Sequence, residues 1–469
     1  MVLAAGLLSS VYTLATLAIQ YENGSLRGDD IVYFSEARRT HFLSFIGEPI
    51  DVHAVPLHRA TTYLVTLFGR PDYDALLLAM TVVHVAGVVL LYRALERFAP
   101  NPGNAVATFW YATFVYLGTI FGWWTSAAHR LPYLAFFASA LYAYARFRQE
   151  HRATWAACAV LSMVSAVGFF EKGALFPLIL GAVEASLWFE TDARDRKTNF
   201  ALVAGLGALT LVYFVAWRWA VGESWSALSA TPRHAVTYAV ASYRMLLSAS
   251  VGRVADWYLP ALLLWAFLVV VTIRRAPRTA LIWGGAIVVT TVSLLTTGIS
   301  VARSQVWGEM LPYYSHRYYP DVMFVLMVFV ALVWQRAYPS GAQALRGRRS
   351  RWLSAASALM AMTALTLVST KSALDLQHGF YAPTREGKIY EDNVVAGMEQ
   401  LKAEHRPLNF VDGTVPRHLN PMGGDGARVA ILLHALGYHA HFYDLRTAKR
   451  GRGVYRITDT GELALVSSK

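Results

Sequence analysis

Apolar residues along this chain come in blocks that are separated by short polar gaps. Most blocks hold roughly 17 or more residues, which is the length that an α-helix needs to cross the hydrocarbon core of a bilayer. The pattern therefore predicts an all-α polytopic membrane protein with about eleven transmembrane helices. The predicted spans lie near residues 1–20, 74–95, 104–122, 131–146, 153–170, 174–190, 200–221, 257–273, 279–299, 320–336 and 352–370.

Basic residues gather in every second gap, and the positive-inside rule assigns such gaps to the cytoplasm. The first helix then begins in the cytoplasm, the long loop 21–73 lies outside, and an odd number of spans leaves the C-terminus outside. Met1–Gln20 lacks the basic start and the small-residue cleavage site of a signal peptide, so we expect a retained span. The basic gaps contain Arg93 and Arg97; Arg146, Arg148 and Arg152; Arg194, Arg196 and Lys197; Arg274, Arg275 and Arg278; and Arg336, Arg346, Arg348, Arg349 and Arg351.

The composition changes after the last predicted span. Residues 1–370 form the predicted transmembrane domain, and residues 371–469, the C-terminal segment, form a predicted extracytoplasmic α/β domain. About 100 residues suffice for such a domain to have its own core. The predicted elements are a helix over 391–404, a strand over 408–411, a helix over 426–436, a strand over 439–443 and two further short strands after the glycine-rich turn 450–453.

Composition and charge narrow the class of protein further. The chain is 55% hydrophobic and only 15% charged, whereas a soluble protein carries about 25% charged residues. Its net charge of +12 is explained by the basic cytoplasmic gaps, so we expect membrane lipids and no nucleic acid as partners. Cys158 is the one cysteine, which excludes an internal disulfide and a cysteine-rich metal site. The Arg- and Ala-rich composition is typical of a bacterium with GC-rich DNA, so we expect the bacterial plasma membrane.

The outer gaps contain ionisable and aromatic residues that are unusual for such positions. Groups of this kind near the membrane usually face protein or water and mark a site. The alternative for each residue is a structural one: Glu171 and Lys172 cap a helical hairpin, outer arginines contact lipid phosphate, and tyrosines and tryptophans belong to an interfacial belt. The candidate site residues are Asp29, Asp30, His53, His58, Arg59, His129, Arg130, Glu171, Lys172, His316, Arg317 and Tyr318.

Asp29 and Asp30 leave the first span together. Adjacent side chains point about 100° apart on a helix and to opposite sides of a strand, so the two carboxylates do not share one proton. We expect one of them to face the site and the other to bind a cation, an arginine or a backbone amide. An ionised carboxylate at this position can accept a proton from an attacking hydroxyl.

Four motifs resemble those of the GT-C superfamily of membrane glycosyltransferases, which includes protein O-mannosyltransferases, aminoarabinose transferases and arabinosyltransferases. The chain departs from the family pattern at Val55-Pro56, where the family has two prolines, and in the order of Glu171-Lys172. The motifs are Asp29-Asp30 after the first helix, His53–Ala60 with Leu67-Phe-Gly69, the junction Phe169-Phe-Glu-Lys-Gly173, and His316-Arg-Tyr-Tyr-Pro320.

The resemblance implies an inverting transferase that moves a sugar from a polyprenyl-phosphate-linked donor to an acceptor hydroxyl outside the cytoplasm. The acceptor is a glycan, a lipid or a protein. Nucleotide sugars are cytoplasmic, so an outer site needs a lipid-delivered donor. The sequence also lacks the glycine-rich fingerprints that bind nucleotides.

The resemblance also suggests a role for each candidate. Asp29 is expected to act as the base, and Asp30 to assist it or to bind a divalent cation such as Mg²⁺, Mn²⁺ or Ca²⁺. A departing phosphate needs positive charge near it. The expected phosphate ligands are Arg59, Lys172, His316 and Arg317, and the expected substrate-binding residues are His53, His58, His129, Arg130, Glu171 and Tyr318.

Two other functions remain open from the sequence. Polytopic helices with charged residues also suit a transporter or flippase of lipids or glycans, although transporters often contain repeated halves and the sequence contains no visible repeat. The other open function is that of a non-enzymatic scaffold whose C-terminal segment binds a partner.

Overall fold

The fold is described from a computed structural model of the chain. The structure describes residues 1–26, 28–49, 53–98, 100–221, 232–254, 256–301, 316–338, 348–416, 419, 428–444, 448 and 453–466.

Helices dominate this described part of the chain, and they occur at all eleven predicted positions. We number the α-helices in chain order. They are α1 Val2–Asn23, α2 Asp29–Arg39, α3 Phe42–Gly47, α4 Pro56–Leu67, α5 Tyr73–Phe98, α6 Gly103–Ala112, α7 Leu117–Phe121, α8 Trp124–Glu150, α9 Ala153–Phe169, α10 Phe176–Leu187, α11 Ala193–Val221, α12 Pro232–Ser250, α13 Tyr258–Arg275, α14 Thr279–Val301, α15 Tyr319–Ala337, α16 Arg348–Ala403 and α17 Val429–Ala435.

Within the described residues, seven helices are long and apolar enough to cross a membrane. The prediction of an all-α polytopic membrane protein is thereby confirmed. The remaining predicted spans differ from a single long apolar helix: the third is divided into α6 and α7, α8 contains charged residues, and α9 and α10 are short. The seven spans are Val2–Asn23, Tyr73–Phe98, Ala193–Ala220, Tyr258–Arg275, Thr279–Thr297, Tyr319–Ala337 and Ala355–Gln377.

The break between α6 and α7 is supported by tyrosine hydroxyls. Residues 113–116 leave the helical path, so backbone groups there lose their usual partners. Tyr12 Oη donates to the carbonyl oxygen of Phe114 at 2.8 Å, and at the other end of α7 Tyr73 Oη donates to that of Phe121 at 2.6 Å. Freed backbone groups at membrane depth are tolerated where other side chains satisfy them, and both tyrosines are buried.

Helices α1 and α16 run side by side in the same direction. Ala5 and Met362 belong to one buried cluster near the start of both helices, and Lys388 Nζ donates to the carbonyl oxygen of Tyr21 at 2.7 Å near the end of α1. We call this end of the bundle, where α1 ends and α5, α8 and α15 begin, the pocket end.

The boundary predicted at residues 370 and 371 falls inside α16. This helix has 56 residues and continues to Ala403 without a break, so the predicted helix over 391–404 is its last part. The apolar stretch of this helix ends at Gln377, whereas the helix itself continues, so the fall in hydropathy does not mark a helix end. The division of the chain into two domains stays a prediction.

The C-terminal segment contains a small four-stranded sheet, as its alternating pattern predicts. Its strands are β1 Asn409–Val411, β2 His441–Tyr443, β3 Val454–Ile457 and β4 Leu463–Leu465, in the order β2-β1-β3-β4. Strand β1 pairs in parallel with β2 and β3, and β3 pairs antiparallel with β4. Helix α17 connects β1 to β2, as a parallel pair requires, and the small α/β fold is confirmed.

Candidate functional site

Asp29 begins α2, directly after a turn that depends on glycine. Gly28 has a φ of +53°, a conformation that costs other residues more than glycine. Its Cα also faces the Trp123 ring, since a Cβ there would lie 3.6 Å from that ring. The turn places Asp29 on the wall of a small cavity at the pocket end.

Asp30, the neighbour of Asp29, is fully buried and holds the start of α8. Its Oδ1 accepts hydrogen bonds from the Thr125 amide at 2.7 Å and the Thr125 hydroxyl at 2.5 Å, and its Oδ2 accepts one from the Trp124 amide at 3.3 Å. A carboxylate at a helix N-terminus satisfies amides that have no partner within the helix. The two aspartates therefore have the separate surroundings that we expect from their spacing.

The cavity beside Asp29, which we call the Asp29 recess, has a volume of about 60 Å³. It collects side chains from the start of α2, the segment before α4, the first two turns of α8, the end of α9 and the turn before α15. The lining residues are Asp29, Tyr33, His53, Trp123, Thr125, Ser126, His129, Arg130, Phe170, Arg317 and Tyr318.

The ionisation of Asp29 depends on opposing effects. Although its side chain is exposed at the recess, the protein atoms around it displace water and raise the pKa of its carboxyl above the usual range. The positive charges of Arg317 and His53 oppose this rise. A carboxylate with a raised pKa is a stronger base than an aspartate that is surrounded by water and has the ordinary pKa. This property suits proton abstraction.

His53 and Glu171 form an ion pair at the edge of the recess. Their Nδ1 and Oε1 atoms lie 2.5 Å apart, and each side chain is about one-fifth exposed. Burial lowers the pKa of His53, but the charge and hydrogen bond of Glu171 outweigh it and raise that pKa. Burial raises the pKa of Glu171, and His53 overcomes this to lower it. The pairing therefore favours the protonated form of His53, which lines the recess, and the ionised form of Glu171.

Two arginines and a tyrosine form another part of the recess wall. The Arg130 guanidinium lies 4.3 Å from the centre of the Tyr318 ring, and its Nη1 donates to Ser126 Oγ at 3.0 Å. The Arg317 guanidinium lies 4.5 Å from the centre of the Trp123 ring. Burial raises the pKa of Tyr318, but Arg317 and Arg130 outweigh it and lower that pKa to about 8. This side of the recess therefore attracts anions.

Lys172 and Arg59 have carboxylate partners and do not line the recess. Lys172 Nζ lies 3.0 Å from Asp321 Oδ2 in a buried pair. Arg59 Nη2 lies 3.1 Å from Glu36 Oε1, its Nε donates to the Phe45 carbonyl oxygen, and its guanidinium lies over the Phe45 ring. Their predicted role as phosphate ligands stays a prediction, and this pairing does not support it.

The remaining predicted residues are placed differently. His129 lines the recess, and His58 packs behind it with the two ring centres 3.7 Å apart. His58 is fully buried, so direct contact with a substrate is not favoured by this position. His316 begins a short 3₁₀ helix, His316–Tyr318, and its side chain lies outside the part of the chain that the structure describes.

Several residues of the site do not appear among the predicted candidates. Thr125 and Ser126 lie one turn before His129 and Arg130 on α8, and the i, i+4 spacing of Ser126 and Arg130 was a usable signal. Asp321 is a carboxylate inside an apolar segment, which by itself indicates a buried partner. Tyr33, Trp123 and Phe170, which could pass for interfacial aromatics, line the recess instead.

A divalent cation on Asp30 would have to compete with three hydrogen bonds. Both oxygens of Asp30 already accept bonds from Trp124 and Thr125, so the donor set does not fit a cation well. Among the described residues no group of three or more His, Cys, Asp and Glu side chains is arranged to hold a metal ion. Dependence on a cation stays a prediction, and no step below uses one.

The sequence matches no family model and no curated protein. Solved structures do match the fold. The structure of ArnT from Cupriavidus metallidurans in the apo state aligns over 96% of this chain and 93% of that chain, with a TM-score of 0.50 and 15% identity. The structure of the same protein bound to undecaprenyl phosphate aligns over 97% and 93%, with a TM-score of 0.51 and 15% identity. The chain therefore shares the fold of this ArnT over nearly its whole length, in agreement with the resemblance that its motifs predict.

Proposed function

We propose that the chain is an inverting glycosyltransferase. It takes a sugar from a polyprenyl-phosphate-linked donor and transfers it to an acceptor hydroxyl on the extracytoplasmic face of the bacterial plasma membrane. The fold supports the proposal because ArnT, which shares it over nearly the whole chain, was solved with undecaprenyl phosphate bound. The acceptor class stays open between a glycan, a lipid and a protein.

One observation carries the proposal: Asp29 shares a recess with Arg130 and Arg317. A carboxylate and two cations that face one cavity suit a reaction in which a hydroxyl loses a proton and a phosphate departs. Outside the recess, by contrast, Lys172 and Arg59 are paired with Asp321 and Glu36. The recess therefore brings one carboxylate and two guanidinium groups to a surface that a substrate can reach.

The reaction follows from this arrangement as a single displacement. Asp29 accepts the proton of the acceptor hydroxyl, and the oxygen attacks the anomeric carbon of the donor sugar. The bond between that carbon and the phosphate oxygen breaks, and the phosphate leaves with the electron pair. Arg130 and Arg317 stabilise the developing charge. The new bond forms opposite the departing phosphate, so the anomeric configuration inverts.

The other charged groups support the recess in this proposal. His53, whose protonated form Glu171 favours, adds positive charge near the departing phosphate when it is protonated. Asp30 fixes the start of α8, and Ser126, His129 and Arg130 line the recess from the first two turns of that helix. The aromatic rings of Tyr33, Trp123 and Tyr318 offer stacking surfaces for a sugar.

Transport is the weaker alternative. Transporter sites typically lie near the middle of the bilayer, whereas the Asp29 recess lies where the helices begin and end. Proteoliposomes that contain the protein distinguish the two functions. Movement of a labelled lipid-linked sugar across the bilayer without any cleavage of its phosphate bond would favour transport.

The test of the proposed function uses the full chain in nanodiscs with polyprenyl-phosphate monosaccharides that differ in the sugar. We expect one donor to release polyprenyl phosphate, measured by mass spectrometry, in an acceptor-dependent reaction. Nuclear magnetic resonance of the product should show an inverted anomeric configuration. A product that retains the donor configuration would contradict the single displacement, and no release from any donor would contradict the function.

A further inference from the structure

The start of α2 is attached to the C-terminal half of the chain by two hydrogen bonds. The Leu26 amide donates to Glu391 Oε2 of α16 at 3.0 Å. The Gly28 amide donates to the Leu419 carbonyl oxygen at 2.9 Å. Asp29 follows Gly28 directly. Leu26 and Gly28, which precede it, are therefore both held by residues more than 360 positions away in the sequence.

Helix α16 approaches this turn closely. A Cβ on Gly387 would lie 2.8 Å from Ser25 Oγ, so a larger residue at this position would require the Ser25 side chain to move. One residue later, Lys388 donates to the Tyr21 carbonyl oxygen and lies 3.7 Å from an Asp74 carboxylate oxygen. Gly387, Lys388 and Glu391 therefore face the end of α1 and the segment that joins α1 to α2.

The far end of α2 is held by the same half of the chain. The His434 ring nitrogen Nδ1 lies 3.1 Å from the Ser35 carbonyl oxygen, and Arg38 Nε donates to the Ala435 carbonyl oxygen at 3.2 Å. Both partners belong to α17. Helix α2 thus lies between contacts at both ends, and its position depends on α16 and α17.

We infer that Glu391 is a positioning residue for Asp29: by holding the Leu26 amide, it fixes the turn that aims the Asp29 carboxylate into the recess. This inference rests on the proposed function. A displacement of about 1 Å at a reacting group can cost about a hundredfold in rate. The contact of Glu391 with Leu26, three residues before Asp29, can therefore affect the rate. Glu391 acts through the backbone and touches no substrate.

The hydrogen bond from the Leu26 amide to Glu391 does not depend on the protonation state of the glutamate. Burial raises its pKa to about 7, opposed by the Leu26 amide and by Arg70, while Asp392 and Asp30 add to the rise. Because a protonated carboxyl keeps a carbonyl oxygen, the side chain accepts the Leu26 hydrogen bond in either protonation state. Glutamine offers the same acceptor at the same distance from the backbone.

The test compares three variants of the full chain in nanodiscs. Glu391→Ala removes the acceptor, Glu391→Gln keeps it, and Glu404→Ala removes an exposed carboxylate at the end of the same helix as a control. We expect Glu391→Ala to lower kcat by about ten- to a hundredfold with an unchanged donor KM and an unchanged melting temperature. Glu391→Gln should restore most of kcat, and Glu404→Ala should match the unchanged protein.

Hydrogen exchange provides a readout that does not need activity. Peptides that cover residues 24–35 should exchange faster in Glu391→Ala and normally in Glu391→Gln. Unchanged exchange in Glu391→Ala, or faster exchange with unchanged kcat, would overturn the inference; so would an equal loss of kcat in both Glu391 variants. If the unchanged protein transfers no sugar, the proposed function fails, while exchange still decides whether Glu391 holds Leu26.

Discussion

Charged residues at the pocket end fall into two regions with different arrangements. Around the Asp29 recess, Asp29, Arg130 and Arg317 face a common cavity. Just outside it, Lys172 and Arg59 are bound to carboxylates of the protein itself. Residue type does not distinguish the regions, since both contain strongly basic side chains.

The comparison teaches that a cation must face the recess to serve a substrate, and that charge alone is not enough. Removing one partner of a buried ion pair leaves the other charge without compensation, which costs stability. Removing a cation that faces the recess should cost substrate binding instead. The two regions therefore make opposite predictions for activity and for stability.

The largest effect is expected from Asp29→Asn. Loss of a general base typically lowers a rate by 10²- to 10⁴-fold, so we expect kcat to fall by about 10³-fold with an unchanged melting temperature. Sugar transfer from the preferred lipid-linked donor measures it. Glu22→Gln, an exposed carboxylate at the end of α1, is the matched control. Near-normal transfer by Asp29→Asn would show that Asp29 is not the general base.

Lys172→Met should affect stability more than activity. It leaves Asp321 buried without its partner, and breaking a buried pair costs about 3–5 kcal/mol. Thermal unfolding in detergent should show this loss, and the double variant Lys172→Met with Asp321→Leu should recover most of it. An unchanged melting temperature together with a large rise in donor KM would instead indicate that Lys172 binds the donor phosphate.

Arg317→Met and Arg130→Met should weaken use of the donor. A hydrogen bond to a charged group contributes about 1.5–3 kcal/mol, so we expect kcat/KM for the donor to fall by about ten- to a hundredfold. The melting temperature should change less than in Lys172→Met. If the arginine variants unfold early and keep normal kcat/KM, the distinction between the two regions is wrong.

The smallest expected effect is a dependence of the donor KM on pH. The pKa of Tyr318 is lowered to about 8 because Arg317 and Arg130 favour its phenolate, despite burial. Tyr318 is neutral below this pH and negative above it, so above pH 8 the phenolate competes with the donor phosphate for the arginines. Donor KM should rise severalfold between pH 7 and 9, and Tyr318→Phe should abolish this rise. A KM that rises equally in Tyr318→Phe would assign it to another group.

The fold class was accessible from the sequence because span length and basic gaps are properties of local segments. The same order of segments brings Asp29, Arg130 and Arg317 to one end of the bundle. The pairing of Lys172 with Asp321 was not accessible, since 149 residues separate them and only packing decides which carboxylate a buried lysine meets. The length of α16 was also missed, because hydropathy reports surroundings and not helix ends.

The parallel course of α1 and α16 has a consequence for biogenesis. The first helix enters the membrane early in synthesis, but the partners of Leu26 and Gly28 emerge from the ribosome only near the end. Until α16 inserts, the turn before Asp29 lacks those hydrogen bonds. A nascent chain that stops before residue 348 can insert most of its helices, yet its Asp29 still lacks the two contacts that hold the preceding turn.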